Sequence, residues 1–168
     1  LLVERHDLAT GATGRNHGLL HSGARYAVTD RESAEECIKE NMILRKIARH
    51  CVEETEGLFL TLPEDDLAYQ AKFVESCLAA GIRADVIDPK EALRMEPSAN
   101  PDIIGAVKVP DGAVDPFRLT SANVIDAKLH GAKVLVYSEV TSLIKEGDTI
   151  KGVVVYNHIT KQKEEYYA

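Results

Sequence analysis

Residues 1–27 read LLVERHDLATGATGRNHGLLHSGARYA, and this stretch decides the fold. Leu1-Leu2-Val3 has the composition of the end of a buried strand, and Glu4 stops it. About twenty residues of mostly Gly, Ala, Thr, Asn and His come next without helical or strand period, and loops of that length in compact domains are usually functional or disordered. An acid that closes a strand suits nucleotide recognition. In a doubly wound sheet the second strand ends in a carboxylate that takes ribose hydroxyls. That acid follows, by about 20 residues, a Gly-rich turn that seats a pyrophosphate on a helix N-terminus. Glu4 fills the role if Leu1-Leu2-Val3 is the second strand, with the Gly-rich turn upstream of Leu1. The plainer alternative is that Glu4 ends a strand at the surface.

The bulk properties narrow the classes. A chain of 168 residues, 45% apolar and 28% charged, suits one soluble domain or a continuous piece of a larger one. Twenty Lys and Arg against 27 Asp and Glu leave a net charge of −7. No basic patch is visible, which argues against nucleic acid as a partner. No apolar run approaches the ~20 residues that span a bilayer, and no signal peptide is recognisable. Cys37, Cys51 and Cys77 are odd in number and form no CxxC pair, so they read as apolar filler on helix faces in a reducing compartment.

Beyond the loop, Thr29-Asp30-Arg31-Glu32 reads as a capping box, with Thr29 as the cap and Glu32 reaching back. Ala34, Cys37, Ile38, Leu44, Ile47, Ala48 and Cys51 recur at helical spacing, predicting one helix of about five or six turns. Residues 57–62 read as a strand closed by Pro63. A second helix is expected from Glu64-Asp65-Asp66, whose acids suit the positive end of the helix dipole. It would bury Leu67, Ala71, Val74, Cys77 and Leu78 and stop at Gly81. A brief strand at 84–87, a short helix from Pro89 to before Pro97, a strand at 103–109 and a turn at 110–116 come next. A third helix runs from Pro116 to about His130, ended by Gly131. Strand then succeeds strand: VLVY (134–137) reads as covered on both faces in a parallel sheet. The remainder reads as a three-stranded meander with turns at 146–148 and 157–160. The expected class is α/β with an inserted α+β element. Residues 1–56 and 111–168 form one α/β unit, and residues 57–110 the insertion.

The stretch ERHDLATGATGRNHGLLHSGARYA resembles the cofactor loop of the D-amino-acid-oxidase-like FAD-dependent oxidoreductases. Within that family it is most similar to the large-subunit branch of the bacterial anaerobic glycerol-3-phosphate dehydrogenases. The aerobic branch shares the HxGxRY pattern, here His21-Ser22-Gly23-Ala24-Arg25-Tyr26. It tends to carry a Ser- and Lys-rich run where this chain has Arg15-Asn16-His17-Gly18. The resemblance continues through ENMILRKIARHCVE, GLFLTLPEDD and GAVKVPDGAVDPFRLTSANVIDAKLHGA, and so covers essentially the whole chain. It implies a fragment of a FAD/NAD(P)-binding Rossmann-like domain together with part of a substrate domain. Enzymes of this kind begin some thirty residues earlier, with the pyrophosphate turn, and continue well past residue 168. The chain is therefore expected to be an internal fragment that does not turn over alone.

The resemblance also implies a chemistry: oxidation of sn-glycerol 3-phosphate to dihydroxyacetone phosphate. The cofactor is FAD, with FMN as a second flavin left open. Electrons would leave through partner subunits to a membrane quinone in anaerobic respiration. The parent complex would be cytoplasmic and peripheral at the inner face of the membrane. The cofactor residues it implies are Glu4, Arg5, Gly11, Thr13, Arg15, Asn16, His17, Gly18 and Leu19, with Val140 offering backbone to the adenine. Arg25 would hold the substrate phosphate with Tyr26 beside it, and His21 would hydrogen-bond near the flavin or help take the hydroxyl proton, with the principal base elsewhere.

The residue types support this independently. Gly11, Gly14, Gly18 and Gly23 permit close backbone approach and positive φ. Thr10, Thr13 and Asn16 offer donors and acceptors to a ribityl chain and pyrophosphate, and a guanidinium grips phosphate bidentately where Lys cannot. His17 and His21 stand four apart, but Gly18 between them weakens a helix and no third ligand is apparent, so a metal pair is not expected. Asp65-Asp66 with Glu64 reads as a solvated helix start. Two other readings remain: a related FAD-dependent oxidase of an amine or 2-hydroxy acid, and a non-catalytic α/β binding domain.

Overall fold

A computed structural model describes residues 1–167. In chain order the elements are β1 (Leu2–Val3), β2 (Leu19–Leu20), α1 (Arg31–Ile47), β3 (Val52–Glu53) and β4 (Gly57–Thr61). Next come α2 (Tyr69–Ala79), β5 (Asp85–Ile87), α3 (Pro89–Met95), β6 (Gly105–Val109) and β7 (Gly112–Val114). The chain continues through α4 (Pro116–Leu129), β8 (Val134–Leu135), β9 (Ser138–Glu146), β10 (Thr149–Asn157) and β11 (Lys163–Tyr167). Short 3-10 turns occupy Ala12–Arg15, Ala24–Tyr26 and Arg49–Cys51. The class is α/β, and the elements gather into two compact units, residues 1–17 with 116–168 and residues 18–115.

In the first unit β1 runs parallel to β8, with Leu2 opposite Val134 and Val3 opposite Leu135. Parallel strands need a long crossover; here it runs through residues 4–133 and ends in α4, which leads into β8. Pro116 opens α4 with its φ already helical, and Gly131, at φ +88°, ends it. The strands β9, β10 and β11 form the antiparallel meander, with β10 in the middle. Of VLVY, expected as a strand covered on both faces, only Val134 and Leu135 are strand; Val134, Leu135 and Val136 are half-buried and Tyr137 is exposed.

The second unit holds two small sheets, ordered β2-β7-β3 and β4-β6-β5. Its larger core joins Ala34 and Ile38 of α1, Phe73 and Cys77 of α2, and Val107 and Val109 of β6. The first helix thus packs with the residues expected to form a separate insertion. A smaller core of Ala92, Ile103 and Ala106 lies under Leu58, Leu60 and Ile87. Alternation along β4 and β6 sends successive side chains to these two cores.

Four local expectations change. The cap of α1 is Asp30, not Thr29: its carboxylate accepts from the Ser33 backbone N–H at 3.1 Å and from the Ser33 hydroxyl at 2.6 Å. Those bonds hold the Asp30 carboxyl below the usual carboxylate range. The first helix stops at Ile47, which is exposed, and Cys51 lies in the 3-10 turn beyond it.

The second helix begins at Tyr69, because Asp65 and Asp66 turn back on backbone. Asp65 accepts from the Leu62 N–H at 2.8 Å and Asp66 from the Ala68 N–H at 2.9 Å. Those bonds fix turns instead of a helix start, so α2 buries Phe73 and Cys77 while Leu67, Ala71 and Leu78 stay exposed. Finally, the expected turn at 110–116 contains β7, which pairs with β2 and β3.

Cys51 and Cys77 are buried and Cys37 half-buried, all three as free thiols. Burial, with the charge of Asp111 as a lesser cause, pushes the Cys77 thiol up to about 11, so it stays protonated and inert as packing.

Candidate cofactor and substrate site

Glu4 stands one residue beyond the C-terminal end of β1, where the parallel pair opens. Its N–H donates to the Leu135 carbonyl at 2.8 Å, and its carbonyl accepts from the Ser138 N–H at 2.8 Å. The side chain turns onto the loop: Oε1 accepts from the His6 N–H at 2.7 Å, which leaves Oε2 as the carboxylate oxygen available to a ligand. Arg5 is exposed and its Nε lies 3.2 Å from His6 Nε2. Asp7 organises the next residues, accepting from the Leu8 N–H at 2.8 Å through Oδ1 while its carbonyl accepts from the Thr10 hydroxyl at 2.9 Å.

The loop is not structureless. Its turn at Ala12–Arg15 is closed by Asn16, whose side-chain amide donates to the Thr13 carbonyl at 2.6 Å. A Cβ on Gly14 would stand 2.1 Å from the Ala9 carbonyl and 3.0 Å from the Phe117 ring, so only glycine lets the loop fold back there. Gly11 is exposed with no atom within 4 Å of a would-be Cβ, which leaves its backbone open to a ligand. Arg15 and His17 are exposed. Val140, on β9 opposite Val155, is exposed at the edge of the meander. Glu4, Arg5, Gly11, Thr13, Arg15, Asn16, His17 and Val140 therefore all belong to the first unit.

Gly18, Leu19, His21, Arg25 and Tyr26 belong to the second. Leu19 and Leu20 pair with Ala113 and Gly112. Arg25 is exposed, with its guanidinium carbon 5.2 Å from the centroid of the half-buried Tyr26 ring. The His21 ring meets Tyr26 edge-on at 5.9 Å, and His21 Nδ1 is buried without a hydrogen-bond partner. A buried, unpaired ring nitrogen is costly, on the order of 1–3 kcal/mol, and such atoms call for an explanation.

A polar network not anticipated from the sequence braces this segment from beneath. Asn41, fully buried on α1, donates to the Leu20 carbonyl at 3.0 Å and the Pro110 carbonyl at 3.3 Å. Arg45 donates to Asn41 Oδ1 at 2.7 Å and to the Pro110 and Asp111 carbonyls at 2.9 and 3.0 Å. The buried Asp111 carboxylate accepts from the Ser22 N–H at 2.6 Å. The signal was present: Asn41 lies three residues after Ile38 and seven after Ala34, on the buried stripe of α1.

The donors and acceptors fit a flavin dinucleotide. A carboxylate with one oxygen pinned and one open stands at a strand end, the position that takes ribose hydroxyls in doubly wound nucleotide-binding sheets, and the loop behind it keeps an open glycine and a turn carrying Thr13 and Arg15. Comparison with known proteins agrees. A sequence family described as "FAD dependent oxidoreductase" matches residues 1–168. Over 168 residues the chain is 67% identical to an anaerobic glycerol-3-phosphate dehydrogenase subunit from Escherichia coli (strain K12), covering 100% of this chain and 31% of that protein. The chain thus spans about a third of the length of the curated relatives it matches.

Among solved structures it resembles L-proline dehydrogenase from P. horikoshii, with a TM-score of 0.72 and 27% identity over 90% of this chain and 41% of that one. The glycerol-3-phosphate dehydrogenase of Bacillus halodurans, solved with FAD, superposes with a TM-score of 0.69 at 22% identity, over 99% of this chain and 27% of that one. At that identity the likeness speaks for the fold. Strand-end carboxylate, glycine-bearing loop and full-length family match converge: the chain belongs to the FAD-dependent oxidoreductases.

Proposed function

We propose that the chain supplies the ribose-holding strand end and the substrate-anion loop of a flavin-dependent sn-glycerol 3-phosphate dehydrogenase. The observation that carries this reading is the 67% identity, spread over all 168 residues, to a protein of that activity by name. When bound, FAD supplies the two-electron acceptor that turns the secondary alcohol of glycerol 3-phosphate into the ketone of dihydroxyacetone phosphate.

The chain's residues do the placing. Glu4 Oε2 takes ribose hydroxyls, Gly11 and Gly18 offer backbone, and Thr13, Arg15, Asn16 and His17 line the polar length of the dinucleotide. Leu19 and Val140 add backbone contacts. Arg25 is exposed, its guanidinium carbon 5.2 Å from the Tyr26 ring centroid, which leaves a planar, fork-shaped donor open to a phosphate. His21 sits beside Tyr26 with an unpaired ring nitrogen, suited to hydrogen-bonding the substrate hydroxyl or helping remove its proton.

No described helix is long and apolar enough to cross a membrane. On this reading the complex sits at the inner membrane face, with electrons passing through partner subunits to a quinone. Dye-linked turnover by the intact protein tests the substrate. Glycerol 3-phosphate is expected to reduce the dye at least about a hundredfold faster, in kcat/KM, than glycerol, sarcosine or lactate, because only it engages a phosphate grip. Preference for an amine or a 2-hydroxy acid would transfer the assignment to a related oxidase.

A further inference from the structure

We propose that Tyr137 and Asp7 form a latch that fixes the Glu4–Leu8 turn in the shape that receives the adenosine half of the dinucleotide, which makes Tyr137 a positioning residue for FAD. The inference rests on the flavin reading of Glu4.

Tyr137 joins β8 to β9 in a left-handed conformation, φ +51°. Bulky side chains rarely adopt it, and such residues persist where their surroundings over-determine them and cluster at ligand clamps. Here the surroundings are the turn after β1. The Tyr137 N–H donates to the His6 carbonyl at 2.8 Å, and its carbonyl accepts from the His158 N–H at 2.7 Å. Its phenol donates to Asp7 Oδ2 at 2.9 Å across 130 residues of sequence.

The Asp7 carboxylate is thereby divided. Oδ1 caps the local turn through the Leu8 N–H, and Oδ2 ties that turn to the β8–β9 junction. Glu4 lies at the same crossing, because its carbonyl accepts from Ser138, the residue after Tyr137, and its Oε1 accepts from the His6 N–H. Two of the bonds that orient Glu4 therefore involve residues whose position depends on Tyr137. A junction serving only to change strand direction needs the backbone bonds and a glycine; it needs no phenol reaching a carboxylate on the turn.

Tyr137→Phe keeps the ring and the backbone and removes the donor. In apoprotein prepared from the intact protein, titrated with FAD and separately with ADP, this variant is expected to bind both about three- to tenfold more weakly, as loss of one hydrogen bond implies. The Tm of the apoprotein should stay unchanged. Asp7→Ala, which also removes the Leu8 cap, should lose at least as much, Tyr137→Phe added to it should cost nothing further, and Asp7→Asn, which keeps an acceptor, should recover most of the loss.

Unchanged FAD and ADP affinity would overturn the latch. So would a loss for FAD with none for ADP, or a loss accompanied by a lower apoprotein Tm. Failure of the underlying reading looks different: wild-type protein would bind no FAD, or Glu4→Ala would leave FAD affinity as it was.

Discussion

Gly23→Ala in the intact protein is expected to lower stability by about 2–5 kcal/mol, from left-handed strain together with overpacking. Gly23 has φ +88° and opens the turn at Ala24–Tyr26. A Cβ there would stand 2.7 Å from the Cys37 Cβ and 2.8 Å from the Ala34 carbonyl, both on α1. Ala34 cannot withdraw, since it is fully buried in the larger core and the clashing atoms are helix backbone, and the Cys37 Cβ is fixed to the same helix. Urea unfolding measures the loss. Gly23→Asn separates the two causes: Asn tolerates positive φ but still carries a Cβ, so most of the penalty should remain if the clash dominates. A cost below about 1 kcal/mol for Gly23→Ala would mean that the turn does not press on α1 as described. On the proposed reading the consequence is functional as well, because Arg25 and Tyr26 belong to this turn.

Arg25→Ala carries the other large effect, and its readout is kinetic. On the proposed reading Arg25 binds the substrate phosphate, and truncating one partner of a charge-assisted pair costs about 2–4 kcal/mol, or roughly 30- to 1,000-fold in kcat/KM. A phosphate grip acts on ground state and transition state alike, so the loss should appear mainly in KM. Arg25→Lys should recover only part of it, because an ammonium keeps the charge but not the two-pronged geometry. The slow oxidation of glycerol, which has no phosphate, should be indifferent to both changes. Wild-type kinetics in Arg25→Ala would move the phosphate grip to another residue and leave Arg25 as a side chain resting on Tyr26.

Much of this molecule was legible in its sequence, for local physical reasons. Gly81 and Gly131 end helices through positive φ, Pro89 and Pro116 start them, and the meander arises from alternation broken by polar turns. Glu4 at a strand end was readable because β1 is short and closed by a charge.

The features that escaped depend on distant partners. The residues Pro110, Asp111 and Gly112 have the chemistry of a turn, and only the approach of β2 and β3 makes a strand of Gly112–Val114. Thr29 and Asp30 are both good caps, and the choice fell to Asp30 because Ser33 offers it both a backbone and a hydroxyl donor. Gly23 was read as a point of approach for a ligand; the backbone it lets close is that of α1. Tyr137 carries no signal at all in sequence, since a tyrosine after an apolar strand predicts more strand. Its left-handed turn is held against His6 and Asp7, the latter 130 residues away, and against His158.

The central claim is that Glu4 holds the ribose of a bound flavin dinucleotide. Its most direct test is the FAD dissociation constant of the intact protein and of its Glu4→Ala variant, measured by flavin fluorescence on reconstitution of the apoprotein. The account predicts a yellow wild-type protein and a loss of affinity of about tenfold or more in the variant, as expected for removing a charged acceptor from two hydroxyls. A wild-type protein without flavin, or a variant that binds FAD as tightly as wild type, would contradict it.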